Sequence, residues 1–177
     1  MKKTFFILVL SLSYLSCLSQ INYDLWGMKI GKTTKNEVLR IIQKDSELSR
    51  GEISDILHQD DLILLFFSQC SFKHLNHQWS SMSLEFYNDI LYKVQISCNI
   101  YNDTMHALSI FDDVINQIDS KYHKYNVTKN PQGYLHQFID ESNLSLTILT
   151  SSSDRISDSI SIFYTDLVLL NKKYPDD

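Results

Sequence analysis

Two runs of alternating residues around Asn88-Asp89 constrain this chain more than any other feature. Met82, Leu84 and Phe86 point one way, and Ser81, Ser83 and Glu85 the other. After the Asn-Asp pair, Tyr92, Val94, Ile96 and Cys98 alternate with Lys93, Gln95 and Ser97. A period of two on both sides of a short turn predicts a β-hairpin with one apolar face. Such a face has to be covered, so helices or a second sheet must lie on it.

Helical candidates occur where they are needed. Thr34 and Glu37 have the spacing of a capping box, in which hydroxyl and carboxylate each satisfy an orphan backbone N–H. A helix over about 35–44 follows, with Val38, Ile41 and Ile42 on one side. Ser49 and Glu52 repeat the capping spacing and predict a second short helix with Ile53, Ile56 and Leu57 inward. Asp103 or Thr104 can cap a longer helix, whose stripe is Leu108, Phe111, Ile115, Ile118 and Tyr122.

Further strands are predicted at 25–30, at 134–139, 144–149 and 159–164, and over the continuous apolar run 62–70. That run reads as a strand covered on both faces or at a sheet centre. Residues 166–173 suit a short helix or an edge strand. The element order predicts an α+β class, with two α-β-β-β units forming a largely antiparallel sheet packed by helices. The second unit reads as a possible diverged repeat of the first, with sub-units 20–102 and 103–177.

The N-terminus predicts the compartment. Lys2 and Lys3 precede an apolar stretch from Thr4 to Ser16, and small residues lead up to Gln20. This is the layout of a bacterial signal peptide over 1–19, leaving a single domain over 20–177. Cleavage between Ser19 and Gln20 would give a soluble periplasmic or secreted protein. Lipidation of Cys17, with Tyr14-Leu15-Ser16 before it, would give a membrane-anchored lipoprotein. The apolar segment is shorter than the ~20 residues of a spanning helix, which disfavours an uncleaved anchor.

The chain has 16 basic and 21 acidic residues. Loss of Lys2 and Lys3 leaves 14 against 21, a net charge of −7. An acidic surface argues against nucleic acid as partner, and leaves a lipid on Cys17 as the one route to a membrane.

Gly31-Lys32-Thr33 with Glu37-Val38 resembles the "G-x-T…E-V" helix start of small envelope proteins of the SmpA/OmlA (BamE) type. The 84–91 hairpin resembles their "F-x-(N/D)-G-x-L" turn, with Asp89 where that family prefers Gly. Trp26-Gly27 to Gly31 also resembles short exported proteins common in Bacteroidetes. The first resemblance implies a fold like that of the β-lactamase-inhibitor protein and a protein-binding or envelope-assembly role. It transfers no site residue.

Chemistry-bearing residues are few. Cys70 and Cys98 would be the only cysteines of a mature chain, and an oxidising compartment favours a disulfide between them. It would close a loop of about 29 residues and contribute ~3 kcal/mol. Two buried free thiols are the alternative. Cys70, His74, His77 and Cys98 also form a loose zinc-ligand set, against which His74 and His77 read as solvated loop residues. His106 or His136 could pair with Asp103 or Asp140, although both histidines fit helix or strand packing. No Gly-x-Ser-x-Gly, His-Glu-x-x-His or phosphate-loop motif occurs, and four glycines cannot build a Gly-rich phosphate cradle. No cofactor is implied.

The leading expectation is a non-enzymatic exported protein that binds another protein through its sheet face. One alternative is a small-ligand carrier with a pocket between the 104–122 helix and the sheet. Another is a hydrolase acting through His136 or His106. Tyr87, Tyr92, Tyr101, Tyr122, Tyr125 and Tyr134 could line an interface or pack at sheet edges.

Overall fold

In the computed structural model the described residues are 24–54, 61–67, 71–101, 104–119, 127–130, 133–139, 143–152 and 157–175. The predicted signal peptide with Cys17, Ser19 and Gln20 lies outside them, as does Cys70.

The predicted hairpin is present and central. Strands β7 (Ser81–Tyr87) and β8 (Ile90–Tyr101) pair antiparallel around Asn88-Asp89. Both turn residues have positive φ, +49° and +67°, the signature of the primed turns that suit twisted strands. The other strands of the large sheet are β3 (Glu52–Ile53), β4 (Leu62–Phe66), β9 (Val127–Asn130), β10 (Gly133–Ile139), β11 (Leu144–Ser152) and β12 (Ser157–Asp166). Their order is β3-β4-β7-β8-β12-β11-β10-β9, and every pairing is antiparallel. Two further hairpins stand apart: β1 (Asp24–Leu25) with β2 (Met28–Lys29), and β5 (Phe72–His74) with β6 (His77–Trp79). Helices α1 (Lys35–Lys44), α2 (Thr104–Asp119) and α3 (Leu167–Lys173) complete an α+β architecture.

One face of the sheet is packed. Leu84 pairs with Ile63 and Val94, Ile96 with Met82 and Ile162, and Ile148 with Ile162, all buried. They share one apolar cluster with Val38 and Ile42 of α1, Phe111, Val114 and Ile118 of α2, and Phe72 and Trp79 of the β5–β6 hairpin. At ~25 cal/mol per Å² of buried apolar surface, this cluster is the main stabilising element.

α1 has the predicted bounds and capping box: Glu37 N–H donates to Thr34 Oγ1, and Thr34 N–H donates to Glu37 Oε2 at 2.8 Å. Four local expectations are corrected. The 25–30 strand is instead a tight hairpin, because Trp26 and Gly27 take positive φ and reverse the chain. The second short helix is a 3-10 turn at Leu48–Arg50, with Asp45 Oδ1 accepting the N–H groups of Glu47 and Leu48. Leu48, fully buried, takes the core role expected of Ile53, which is 46% exposed on β3. Residues 56 and 57 lie outside the described set. β4 has one covered face: Ile63 and Leu65 are buried, Leu62 and Leu64 half-buried and Phe66 exposed.

The polar loop expected around His74 and His77 is the β5–β6 hairpin. It turns on Leu75 and Asn76, both at positive φ, and buries Phe72 and Trp79. β9 was not anticipated. Residues 167–173 settle as a helix, capped by Asp166 Oδ1 accepting from Leu169 N at 3.0 Å.

Candidate functional site

The opposite face of the sheet forms rows across the strands. Register places Leu62, Glu85, Lys93, Thr165 and Ser145 in the first row. The second is Leu64, Ser83, Gln95, Phe163, Thr147 and Gln137. Glu52, Phe66, Ser81, Ser97, Ser161 and Leu149 make the third.

α3 packs at the first row. A register shift between Glu85 and Phe86 leaves Tyr92 as the extra residue of β8 and turns its ring to this side. Tyr92 is fully buried, and its hydroxyl donates to Glu85 Oε2 at 2.5 Å. Lys93 Nζ donates to Glu85 Oε1 at 2.8 Å. Lys173 of α3 lies over the Tyr92 ring at 5.0 Å, donates to the Phe86 carbonyl at 3.0 Å, and pairs with Asp61 at 3.5 Å. Burial opposes ionisation of Glu85, but hydrogen bonds from Lys93 and Tyr92, with the charges of Lys93 and Lys173, outweigh it and hold the carboxyl below its ordinary pKa. Burial first, then the Glu85 hydrogen bond and charge, push the Tyr92 phenol upward.

Beyond this cluster, Glu52 on the edge strand β3 is the one charged residue among those named in the second and third rows, in a chain that is 21% charged. Most of these side chains are half-buried, and Phe66 is exposed. Hydroxyls and amides bond sideways along the sheet: Ser97 with Ser161 at 2.8 Å, Gln95 to Ser97 at 3.0 Å and Gln137 to Ser145 at 3.2 Å. Six strands at about 4.8 Å spacing make the surface about 24 Å wide. Its Phe and Leu side chains and the lack of charge between β4 and β10 match an interface core, whereas its serines do not.

The residues singled out from sequence are dispersed. Cys98 is a free, buried thiol on the packed face, opposite Ile160. No disulfide is seen among the described residues, so the expected Cys70–Cys98 bridge is not present there. Burial pushes the Cys98 thiol up to about 11 despite a backbone hydrogen bond from Ile160. His74 Nε2 shares a 2.6 Å hydrogen bond with Tyr164 Oη. His77 Nε2 lies 2.7 Å from Asp113 Oδ2 of α2. The two rings therefore anchor the β5–β6 hairpin, and no cluster of three metal-ligating side chains occurs among the described residues.

His106 is exposed in the first turn of α2, and the His136 backbone pairs with Ile148 within the sheet. Asp103 and Asp140, their expected partners, lie outside the described residues. Of the tyrosines, Tyr92 is interior and Tyr87 half-buried. Tyr122 and Tyr125, and the side chains of Tyr101 and Tyr134, are outside the described set.

The Glu85–Lys93–Tyr92–Lys173 cluster was missed from sequence. Only the cross-strand Glu85/Lys93 spacing signalled it, because the bulge and α3 complete it. A cleft of about 350 Å³ is lined by Leu25, Trp26, Lys73, His74, Leu75 and Asn76, beside the β1–β2 turn. No described helix is long and apolar enough to cross a membrane. Comparison with protein-family models, curated proteins and solved structures gives no match.

Proposed function

We propose that this chain is an exported, non-enzymatic protein that binds another protein through the open face of its sheet. The supporting observation is that the second and third rows carry no Asp, Glu, Lys or Arg between β4 and β10, with Glu52 only at the β3 edge. A sheet face meant only for water gains solubility from Lys and Glu, and nothing in the packing forbids them at half-buried positions. Charged residues are depleted where an interface core forms, because each would have to be desolvated.

The leader-like N-terminus supports export, with either a free Gln20 end or a lipid on Cys17. The resemblance to SmpA/OmlA-type envelope proteins points the same way. We read the two halves as diverged copies. In each, a helix precedes strands that pair in sequence, β4-β7-β8 and β10-β11-β12, and the halves join through β8 and β12.

The test is photo-crosslinking in cells that export the protein under its own leader. Benzoylphenylalanine at Gln95 or Thr147 should yield a discrete adduct with a second polypeptide, and at the exposed Asn116 of α2 it should not. Equal labelling from all three positions, or none from any, would sink the reading.

A further inference from the structure

A second cleft, of about 470 Å³, lies on the other side of the β1–β2 turn. Lys29, Lys32 and Arg40 line it, with Thr33, Glu37 and Ile41. All three cations are exposed, and none belongs to an ion pair among the described residues. The single carboxylate, Glu37, accepts from Thr34 N at 2.8 Å and from Thr34 Oγ1 at 3.0 Å; these bonds, with the nearby Arg40 charge, hold its carboxyl below its ordinary pKa, so it keeps one negative charge in the cleft. Thr33 is 8% exposed, and its Oγ1 accepts from Lys29 N at 2.7 Å, which leaves its hydroxyl proton to donate.

An acidic chain of net charge −5 thus gathers three cations against one carboxylate in one concave site. Cations lining one cleft repel one another, and an anion held between them offsets that repulsion. A wall including Ile41 and a near-buried hydroxyl donor make the site more than a row of solvated lysines.

We propose that this cleft binds a small, multiply charged oxyanion, with Lys29, Lys32 and Arg40 as counter-charges and Thr33 as a hydroxyl donor. Phosphate and carboxylate groups share that chemistry, and two probes distinguish them. Inorganic diphosphate and citrate would be titrated separately at low ionic strength, with binding followed by calorimetry and amide NMR shifts. At least one should bind saturably with one equivalent, shifting the amides of 29–40. The anion that binds identifies the group.

Lys32→Gln with Arg40→Gln should weaken binding about tenfold or more, and 150 mM salt should weaken it further. Lys172→Gln on α3 should leave it unchanged. If the double variant misfolds, Lys32→Gln alone, at an exposed turn position, should move affinity in the same direction. No saturable binding of either anion, or equal affinity in the variants and the parent, would overturn the proposal.

Discussion

The two faces of the sheet are built from neighbouring residues under opposite rules. Leu84 and Ser83 are adjacent on β7, and Ile96 and Gln95 on β8. Leu84 and Ile96 are fully buried in the apolar cluster, whereas Ser83 and Gln95 are half-buried on the open side. The packed face supplies the stability. The open face retains its composition without contributing much to it, so that composition calls for a cause other than folding. Where α3 covers the first row, the sheet uses charge: Glu85, Lys93 and Lys173 are bonded to one another or to backbone. Charge is therefore compatible with this side of the fold, although the next two rows carry none between β4 and β10.

Breaking the packed face should give the largest effect. Leu84→Ala or Ile96→Ala should cost about 2–5 kcal/mol in urea unfolding, from lost burial plus a residual cavity. Ser83→Ala and Gln95→Ala should stay within about 0.5 kcal/mol. Comparable losses on the two faces would erase the contrast.

Gly31→Ala should come next. Gly31 sits at φ +78°, and an added Cβ would lie 2.5 Å from Asp166 Oδ2, the carboxyl group that caps α3. Strain and the displaced cap together predict a loss of about 1–3 kcal/mol. A thermal midpoint equal to the parent's would refute that close approach.

A smaller effect should appear with pH. The folded-state pKa of Glu85 lies below its ordinary value of 4.5. Its stabilising contribution is therefore complete above that value and is lost as pH falls through the lower folded-state pKa. Glu85→Gln should flatten the acid limb of stability against pH, and an unchanged limb would mean that the covered row is not electrostatically organised. Smallest of all is the reactivity of Cys98. With its thiol pushed up to about 11, it should resist iodoacetamide at pH 8 in the folded protein and react in urea without reductant. Protection in urea that reductant relieves would restore the disulfide.

The packed face was legible in the sequence because its signal is local. Alternation along 82–86 and 94–98 and the three- and four-residue steps of α2 report burial directly. The hairpins at Trp26-Gly27 and Leu75-Asn76 were not legible. Trp and Leu are poor residues for positive φ, and tertiary packing of Leu25, Phe72 and Trp79 overrides that preference. Asn88-Asp89 tolerates the same geometry, so its turn could be read. The open face was anticipated only as a sheet face. Its rows exist through the β8–β12 pairing, which in those rows joins residues 64 to 72 positions apart in sequence. The Tyr92 bulge and the docking of Lys173 are likewise consequences of long-range register.

We propose that the open face lacks charge between β4 and β10 because a partner docks there. The most direct measurement is the crosslink from benzoylphenylalanine at Thr147 in exported protein, with and without Gln95→Lys. The expected result is an unchanged urea midpoint and loss of the adduct, because a lysine in the middle of the face must be desolvated on docking. An adduct of undiminished yield, with the fold intact, would contradict it.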